Sequence, residues 1–280
     1  MTTTSKTTST TSTMRSSEVA SVMVLTEQAA DLLIASSAAA LHLPTIRSEA
    51  SRLAEAATRQ RLTHRGFLAE VLTAEVQDRE SRRRIRRVTE AKFPRLKRLE
   101  DLDLSVLPNL GAATLAALAA GTWIDRGEPV VLLGDSGTGK THLLIGLGVA
   151  AAENGKRVRY VTTAALVNEL IEAADDKQLS RVVGRYARLD LLCLDELGYV
   201  HLDSRGAELL FQVITEREER ASVACASNAP FSEWNQTFTD PRLAAAIVDR
   251  LTFKAHIIQT GSDSYRLRSS RATTRAAATD

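Results

Sequence analysis

Cysteines and long apolar runs are scarce in this chain of 280 residues. The two cysteines, Cys193 and Cys225, are too few for a disulfide framework, and no metal-ligand spacing joins them to the five histidines. No apolar stretch approaches the roughly 20 residues that a membrane helix needs, and the N-terminal residues lack the apolar core of a secretory signal. We therefore expect a cytoplasmic protein, not associated with a membrane, whose two cysteines are buried.

An excess of charge of one sign is absent from the whole chain but not from its parts. The formal net charge is only +2. Residues 44–98 hold 15 Lys or Arg and 7 Asp or Glu, a local charge of +8, and the remaining residues carry −6. This polarity predicts that one part of the chain meets a polyanionic partner.

Changes in composition divide the chain into four segments. Residues 1–17 hold 13 Ser or Thr, and residues 269–280 form a second polar tail, so both are expected to be disordered. Residues 18–98 contain very few helix breakers and are predicted to form a helical N-terminal domain. Residues 99–268 are predicted to form a second, larger domain, with the boundary in a connector near residues 94–105.

One long helix is expected to begin near Phe67 and to be ended by Pro94, because proline disfavours helix in the residue before it. Apolar side chains recur along it at helical spacing, and the last two are predicted to face inward; they are Leu68, Leu72, Val76, Ile85 and Val88. Residues 82–98 carry nine basic residues and one acid. The helix face predicted to contact DNA consists of Arg82, Arg83, Arg86 and Arg87.

Such a basic face suits nonspecific contacts with the phosphates of double-stranded DNA. The stretch has no interleaved aromatic residues for stacking on single strands, and no zinc-finger or leucine-zipper pattern for base readout. A solvated face, or one paired with acids of a neighbouring subunit, remains the alternative.

From Glu128 onward, short apolar runs alternate with helical stretches. The predicted strands are Pro129–Leu133, Val158–Val161, Leu189–Leu194, Ser222–Ala226 and Ala255–Ile258. The predicted helices are His142–Glu153, Ala164–Ala174, Ser204–Glu219 and Pro241–Arg250. This alternation predicts an α/β domain with a five-stranded parallel sheet covered on both faces.

A phosphate-binding loop follows the first predicted strand. The residues match the pattern G-x4-G-K-T in full: Gly134, Asp135, Ser136, Gly137, Thr138, Gly139, Lys140 and Thr141. Glycines allow backbone amides to curl around phosphate oxygens, and the following helix directs its N-terminal dipole at them. Lys140 would reach the β- and γ-phosphates, and the Thr141 hydroxyl would bind Mg²⁺.

Polar residues also end two other predicted strands. Asp195 is expected to support the magnesium ion from the second side, and Glu196 to polarise an attacking water. Asn228 could hydrogen-bond both the γ-phosphate and that water. The alternatives are a solvated acid for Glu196 and an ordinary turn former for Asn228.

Together these motifs resemble the AAA+ ATPases, and several segments narrow the resemblance to the IstB family, relatives of the helicase loader DnaC. The segments are AKFP with LED (91–101), GTGKTHL (137–143), LDELGYV (194–200), SNAPFSEW (227–234), AAIVDRL (245–251) and GSDSYRLR (261–268). The resemblance implies a protein that binds ATP, self-assembles on duplex DNA, remodels it, and stimulates a partner transposase of the IstA type in insertion-sequence transposition. Such a protein would be found on the nucleoid when it is bound to DNA.

The resemblance also assigns roles to particular residues. Arg250 matches an arginine that reaches the nucleotide of a neighbouring subunit, although it could instead cap its own helix. Arg266 is a weaker candidate for a second phosphate sensor. Where the family often has aromatic residues near the adenine, this chain has Leu102 and Leu104. Asp135 stands where the family often has proline, and this acid is unfavourable near phosphate unless it faces solvent.

Three other functions remain open at this point. A helicase loader like DnaC belongs to the same ATPase class, and a neighbouring transposase gene would argue against it. A small-molecule phosphotransferase would not need the doublet Asp195-Glu196. A nucleotide-switched scaffold without hydrolysis is disfavoured by the intact Lys140, Thr141, Asp195 and Glu196.

Overall fold

A computed structural model describes residues 26–199 and 201–261. The chain divides into two compact units between Asp78 and Arg79, which lie inside one long helix. The expected tails at 1–17 and 269–280, and Arg266, lie outside the described residues. Within that part of the chain, no helix combines the length and the apolar character needed to cross a membrane.

The first unit is helical, as predicted for this part of the chain. Its helices are α1 (Glu27–Ala40), α2 (Pro44–Gln60) and the beginning of α3 (His64–Glu90). The buried Glu75 on α3 accepts hydrogen bonds from the amides of Thr45 (2.9 Å) and Ile46 (3.0 Å). These amides belong to the first turn of α2, where a helix leaves its N–H groups without partners. A carboxylate from α3 therefore caps α2 and joins the two helices.

The prediction that α3 runs up to Pro94 is wrong, because the helix ends at Glu90. Ala91 is buried, and its carbonyl accepts a hydrogen bond from the amide of Tyr160 at 2.8 Å. Phe93 packs against the Tyr160 ring, with centroids 6.2 Å apart. Tyr160 lies on the outermost strand of the sheet, so the chain leaves the helix early to cover an open strand edge.

The predicted apolar stripe on α3 is also wrong for most of its residues. Ile85 is 65% exposed, and Leu68, Leu72 and Val76 are at least half exposed. Val88 is partly buried against the second unit's core, as predicted. Because α3 contributes to two units, each half buries a short face of its own, and no continuous stripe is required.

The second unit contains the predicted five-stranded parallel sheet, so the fold class is confirmed. The strands are β1 (Val130–Leu133), β2 (Val158–Thr162), β3 (Leu191–Leu197), β4 (Ser222–Ser227) and β5 (His256–Gln259). Their order is β2-β3-β4-β1-β5. The carboxyl ends of β1, β3 and β4 therefore lie side by side at one edge of the sheet.

Helices cover both faces of this sheet. The helices of the second unit are α4 (Ala112–Ala119), α5 (Thr122–Asp125), α6 (Lys140–Glu153), α7 (Thr163–Asp175), α8 (Leu179–Ala187), α9 (Ser204–Arg217), α10 (Trp234–Thr237) and α11 (Pro241–Thr252). α4, α5 and α6 enclose one apolar core, and α7 to α11 enclose the other. Helix α8 was not predicted, because among its nine residues only Val183 and Tyr186 are buried.

Both cysteines are free and buried in these cores, as predicted. Burial raises the pKa of the Cys225 thiol to about 12. It raises the pKa of the Cys193 thiol as well. Since only the thiolate is reactive, both side chains are chemically inert at neutral pH.

Candidate nucleotide-binding site

A cavity of about 480 Å³ opens at the carboxyl edge of the sheet. It is lined by Pro94, Arg95, Lys97, Ser136, Gly137, Gly139, Lys140, Thr141, His142, Ile145, Tyr160, Asp195, Glu196 and Asn228. Residues that follow three different strands therefore share one space. The loop after β1, the acidic doublet of β3 and the asparagine after β4 meet there, as their positions in the sequence predicted.

The loop between β1 and α6 has a backbone that only glycine allows at its start. Gly134 has φ of +150°, and a Cβ placed on it would lie 2.4 Å from Oγ1 of Thr260. Its amide donates to the carbonyl of Ser227 at 3.3 Å, and the amide of Asp135 donates to the carbonyl of Gly261 at 3.2 Å. These contacts hold the loop between the ends of β4 and β5.

Two further loop residues have side chains that do not line the cavity. Thr138 is completely buried, and its hydroxyl lies 2.6 Å from that of Thr260. It also donates to the carbonyl of Asp135 at 2.8 Å, so its side chain maintains the loop. The Asp135 side chain is exposed, which is the condition under which an acid is tolerated beside a phosphate site.

Lys140 is the first residue of α6 and lies at the base of the loop. Its side chain is buried, and Nζ donates to the carbonyls of Gly134 (2.6 Å) and Asp135 (2.7 Å). An ammonium group and the N-terminus of a 14-residue helix therefore face the cavity together. Both favour an anion, and the positive-φ glycines Gly137 and Gly139 leave room for backbone amides to approach it.

Asp195 is buried, and its carboxylate is oriented by two donors. Oδ2 accepts from the Tyr160 hydroxyl at 2.7 Å, and Oδ1 accepts from the Glu196 amide at 2.9 Å. Burial, and then the bond to Asp195, raise the pKa of the Tyr160 phenol far above its usual range. The phenol therefore remains a donor at all ordinary pH values. An oriented carboxylate opposite the Thr141 hydroxyl is suited to Mg²⁺, which prefers oxygen ligands.

Glu196 occupies an irregular position in β3. Leu194 pairs with Cys225, whereas Leu197 pairs with Ser227, so the register shifts between them. Glu196 has φ of +58°, a conformation that costs free energy for a residue other than glycine. Adjacent side chains of a regular strand point to opposite faces, and the irregularity allows Asp195 and Glu196 both to line the cavity.

Arg250 is the one predicted catalytic residue that lies away from this cavity. It is near the end of α11 and lines a different cavity together with Pro129 and Ala221, which precede β1 and β4. Its guanidinium forms an ion pair with Glu218, at 3.0 Å between Nε and Oε2 but without hydrogen-bond alignment. It also lies 4.5 Å from the centre of the Phe211 ring. Arg250 is thus held at the amino edge of the sheet, away from the phosphate loop of its own chain.

The four arginines predicted to bind DNA lie on the part of α3 within the second unit. Arg82, Arg83 and Arg86 are exposed, and Arg87 is half-buried. Glu90 pairs with Arg86 at 2.8 Å and with Arg87 at 3.3 Å. Two of the four side chains therefore have an acidic partner on their own helix.

Four cavity residues were not predicted as part of the site: Arg95, Lys97, His142 and Tyr160. Sequence reasoning counted Arg95 and Lys97 within the basic stretch, without a signal that the connector folds over the loop. The Nε2 atom of His142 lies 2.9 Å from the carbonyl of Arg98, which fastens the connector to α6. By contrast, Leu102 and Leu104 belong to the apolar core and do not line the cavity, so they provide no adenine wall there.

Comparison with known proteins gives consistent matches over most of the chain. A family model described as IstB-like ATP binding protein matches residues 36–273. The chain is 38% identical over 230 residues to an insertion sequence ATP-binding protein of Sinorhizobium fredii, covering 82% of this chain and 77% of that protein. It is 34% identical over 231 residues to the insertion sequence IS5376 ATP-binding protein of Geobacillus stearothermophilus, covering 82% and 92%. The AMPPCP-bound DnaA structure from Aquifex aeolicus matches with a TM-score of 0.49 at 19% identity, covering 64% and 55%.

Proposed function

The chain belongs to the family of IstB-like ATP binding proteins, and we propose that it is a magnesium-dependent ATPase that assembles on duplex DNA and assists a transposase. The observation that carries the ATPase part is the single cavity shared by Lys140, Thr141, Asp195 and Glu196. The names of its relatives, which are insertion-sequence proteins, support the transposition context.

The residues of the cavity have separable roles in hydrolysis. The loop amides and Lys140 bind the phosphates of ATP, and Thr141 with Asp195 holds the magnesium ion. When bound, Mg²⁺ neutralises charge on the β- and γ-phosphates. Glu196, at the cavity surface, accepts a hydrogen bond from the attacking water and polarises it. Asn228 donates its amide to the γ-phosphate or to that water.

Arg250 is proposed to act on the nucleotide of a neighbouring subunit. Its place at the amino edge of the sheet separates it from the cavity of its own chain. To reach a neighbour, its guanidinium must exchange Glu218 and Phe211 for a phosphate. An arginine supplied in trans stabilises charge in the transition state, so hydrolysis would depend on assembly.

Tyr160 gives a test of the metal site that does not remove a metal ligand. Tyr160→Phe deletes the hydroxyl that orients Asp195, and loss of such a partner typically weakens metal binding by about 10- to 100-fold. We expect the Mg²⁺ concentration needed for half-maximal hydrolysis to rise about tenfold, with nearly normal turnover at saturating Mg²⁺. Tyr186→Phe is the matched control, because its hydroxyl donates to Glu169, outside the cavity. An unchanged Mg²⁺ requirement would show that Tyr160 does not position Asp195.

The proposed function is tested by measuring ATP hydrolysis with and without nonspecific duplex DNA, while light scattering follows assembly. We expect DNA to raise turnover roughly tenfold or more through contacts between subunits, together with a rise in scattering. Arg250→Ala should lose the stimulation and keep the unstimulated rate. A turnover that ignores DNA, from a protein that stays monomeric with ATP, would contradict the proposal.

A further inference from the structure

A second cavity of the same unit is lined mainly by arginines. It has a volume of about 370 Å³ and lies beside the amino ends of β2 and β3, at the edge of the sheet away from the phosphate loop. Its arginines are Arg87, Arg157, Arg159, Arg185 and Arg188, and the one acid that lines it is Glu90. We call this cavity the arginine pocket.

Acidic residues neutralise only part of the arginine pocket. Arg157 pairs with Asp190 at 2.6 Å, Arg87 pairs with Glu90 at 3.3 Å, and Arg185 forms an ion pair with Glu169. Arg159 and Arg188 form no ion pair with any residue in the part of the chain that the structure describes. Arg159 is half-buried, so its guanidinium gives up some hydration without gaining a carboxylate in return.

The paired arginines are held in place and still have donors to offer. A guanidinium carries five N–H groups, and a carboxylate occupies at most a few of them. Asp190 also accepts from the Arg157 amide at 2.7 Å, and Arg185 lies 5.3 Å from the centre of the Tyr186 ring. Guanidinium groups fixed in this way are suited to phosphate oxygens, which they bind through paired hydrogen bonds.

The arginine pocket continues the basic surface of α3. Arg87 is in the last turn of α3 and lines the pocket. Arg83 and Arg84 precede it by four and three residues, which places them on the same face of the helix, and both are exposed. A polyanion lying along the end of α3 would therefore reach Arg159 and Arg188 without leaving basic surface.

We propose that the arginine pocket binds a phosphate of duplex DNA, and so extends the DNA contact from α3 onto the sheet that carries the nucleotide site. This inference rests on the proposed DNA binding and adds a site to it. No ring in the pocket is open for stacking on a base, because Tyr186 is buried. Contacts to phosphates position DNA without reading its sequence, so binding through this pocket is nonspecific.

The test measures DNA affinity of the full chain by fluorescence anisotropy with a labelled duplex, over a series of salt concentrations. In the double variant Arg159→Gln with Arg188→Gln, affinity should fall roughly tenfold, and the slope of log K against log salt should decrease by about 2. Hydrolysis of ATP without DNA should stay unchanged. The matched control is Arg181→Gln with Arg220→Gln, which removes equal charge from exposed positions outside the pocket and should keep the slope.

Each remaining outcome separates the pocket from the wider proposal. If the wild type binds DNA and the double variant keeps its affinity and slope, the arginine pocket is not a DNA site, and the proposed function stands. If the wild type binds no duplex, the proposed function itself fails. If the double variant loses hydrolysis without DNA, the single variant Arg188→Gln decides, because this exposed side chain should account for a slope decrease of about 1. Loss of transposase binding with normal DNA binding would assign the pocket to a protein partner and overturn the inference.

Discussion

Glu196→Gln should lower the rate of ATP hydrolysis by about 100- to 10,000-fold while ATP binding and assembly on DNA persist. The carboxylate lines the cavity beside Asp195, at a left-handed backbone position in β3. Glutamine has nearly the same size, so the fold and the phosphate contacts are kept. It lacks the negative charge that polarises water, and only the chemical step should be affected. Steady-state hydrolysis and the binding of a fluorescent ATP analogue measure the two effects separately.

The matched control for this variant is Glu208→Gln. Glu208 is exposed on α9 and does not line the nucleotide cavity, so the substitution removes the same charge at a distance from the site. It should change hydrolysis less than twofold. If Glu196→Gln hydrolyses ATP as fast as the wild type, Glu196 does not polarise the water, and the strained backbone at this position needs another explanation.

The parts of the site that sequence reasoning predicted are those set by short, local patterns. Gly134 to Thr141 form one continuous motif, and Asp195 and Asn228 directly follow apolar runs. In a parallel sheet the carboxyl ends of strands share an edge, so identifying the strands was enough to bring these residues together. The order of the strands was not needed for this prediction.

The parts that were missed depend on contacts between distant segments. Tyr160 resembles any aromatic residue of a buried strand, and only the register of β2 with β3 places its hydroxyl at Asp195. The early end of α3 has the same cause, since Ala91 leaves the helix to meet the amide of Tyr160. Likewise, the predicted inward face of Ile85 assumed one packing partner for the whole helix, whereas α3 belongs to two units.

Arg217→Met should destabilise the second unit by about 3 kcal/mol, a larger effect than we expect for any other arginine discussed above. Arg217 is 1% exposed. Its guanidinium donates to the carbonyl of Tyr186, and also to those of Leu189 at 3.1 Å and Ser222 at 2.7 Å. Methionine fills similar space but leaves three buried carbonyls without this donor, at a cost of about 1–3 kcal/mol for each group left unsatisfied.

Part of that cost is offset, because the buried charge is itself unfavourable. Burial lowers the pKa of Arg217 to about 10, and methionine removes this penalty, which is why we expect the lower end of the summed range. For a unit of this size, 3 kcal/mol corresponds to a decrease in Tm of about 6–12 °C, measurable by thermal unfolding followed by circular dichroism.

Arg220→Met is the matched control, since this side chain is 79% exposed and lies 3.9 Å from Glu216. It should change stability by less than about 0.5 kcal/mol. Arg159→Gln and Arg188→Gln should also leave Tm nearly unchanged, because neither side chain forms an ion pair within the described residues. If Arg217→Met unfolds at the wild-type temperature, the three carbonyls find other donors. The two sets of arginines would then differ in their surroundings but not in their contribution to stability, and the distinction drawn here between structural and DNA-binding arginines would lose its physical basis.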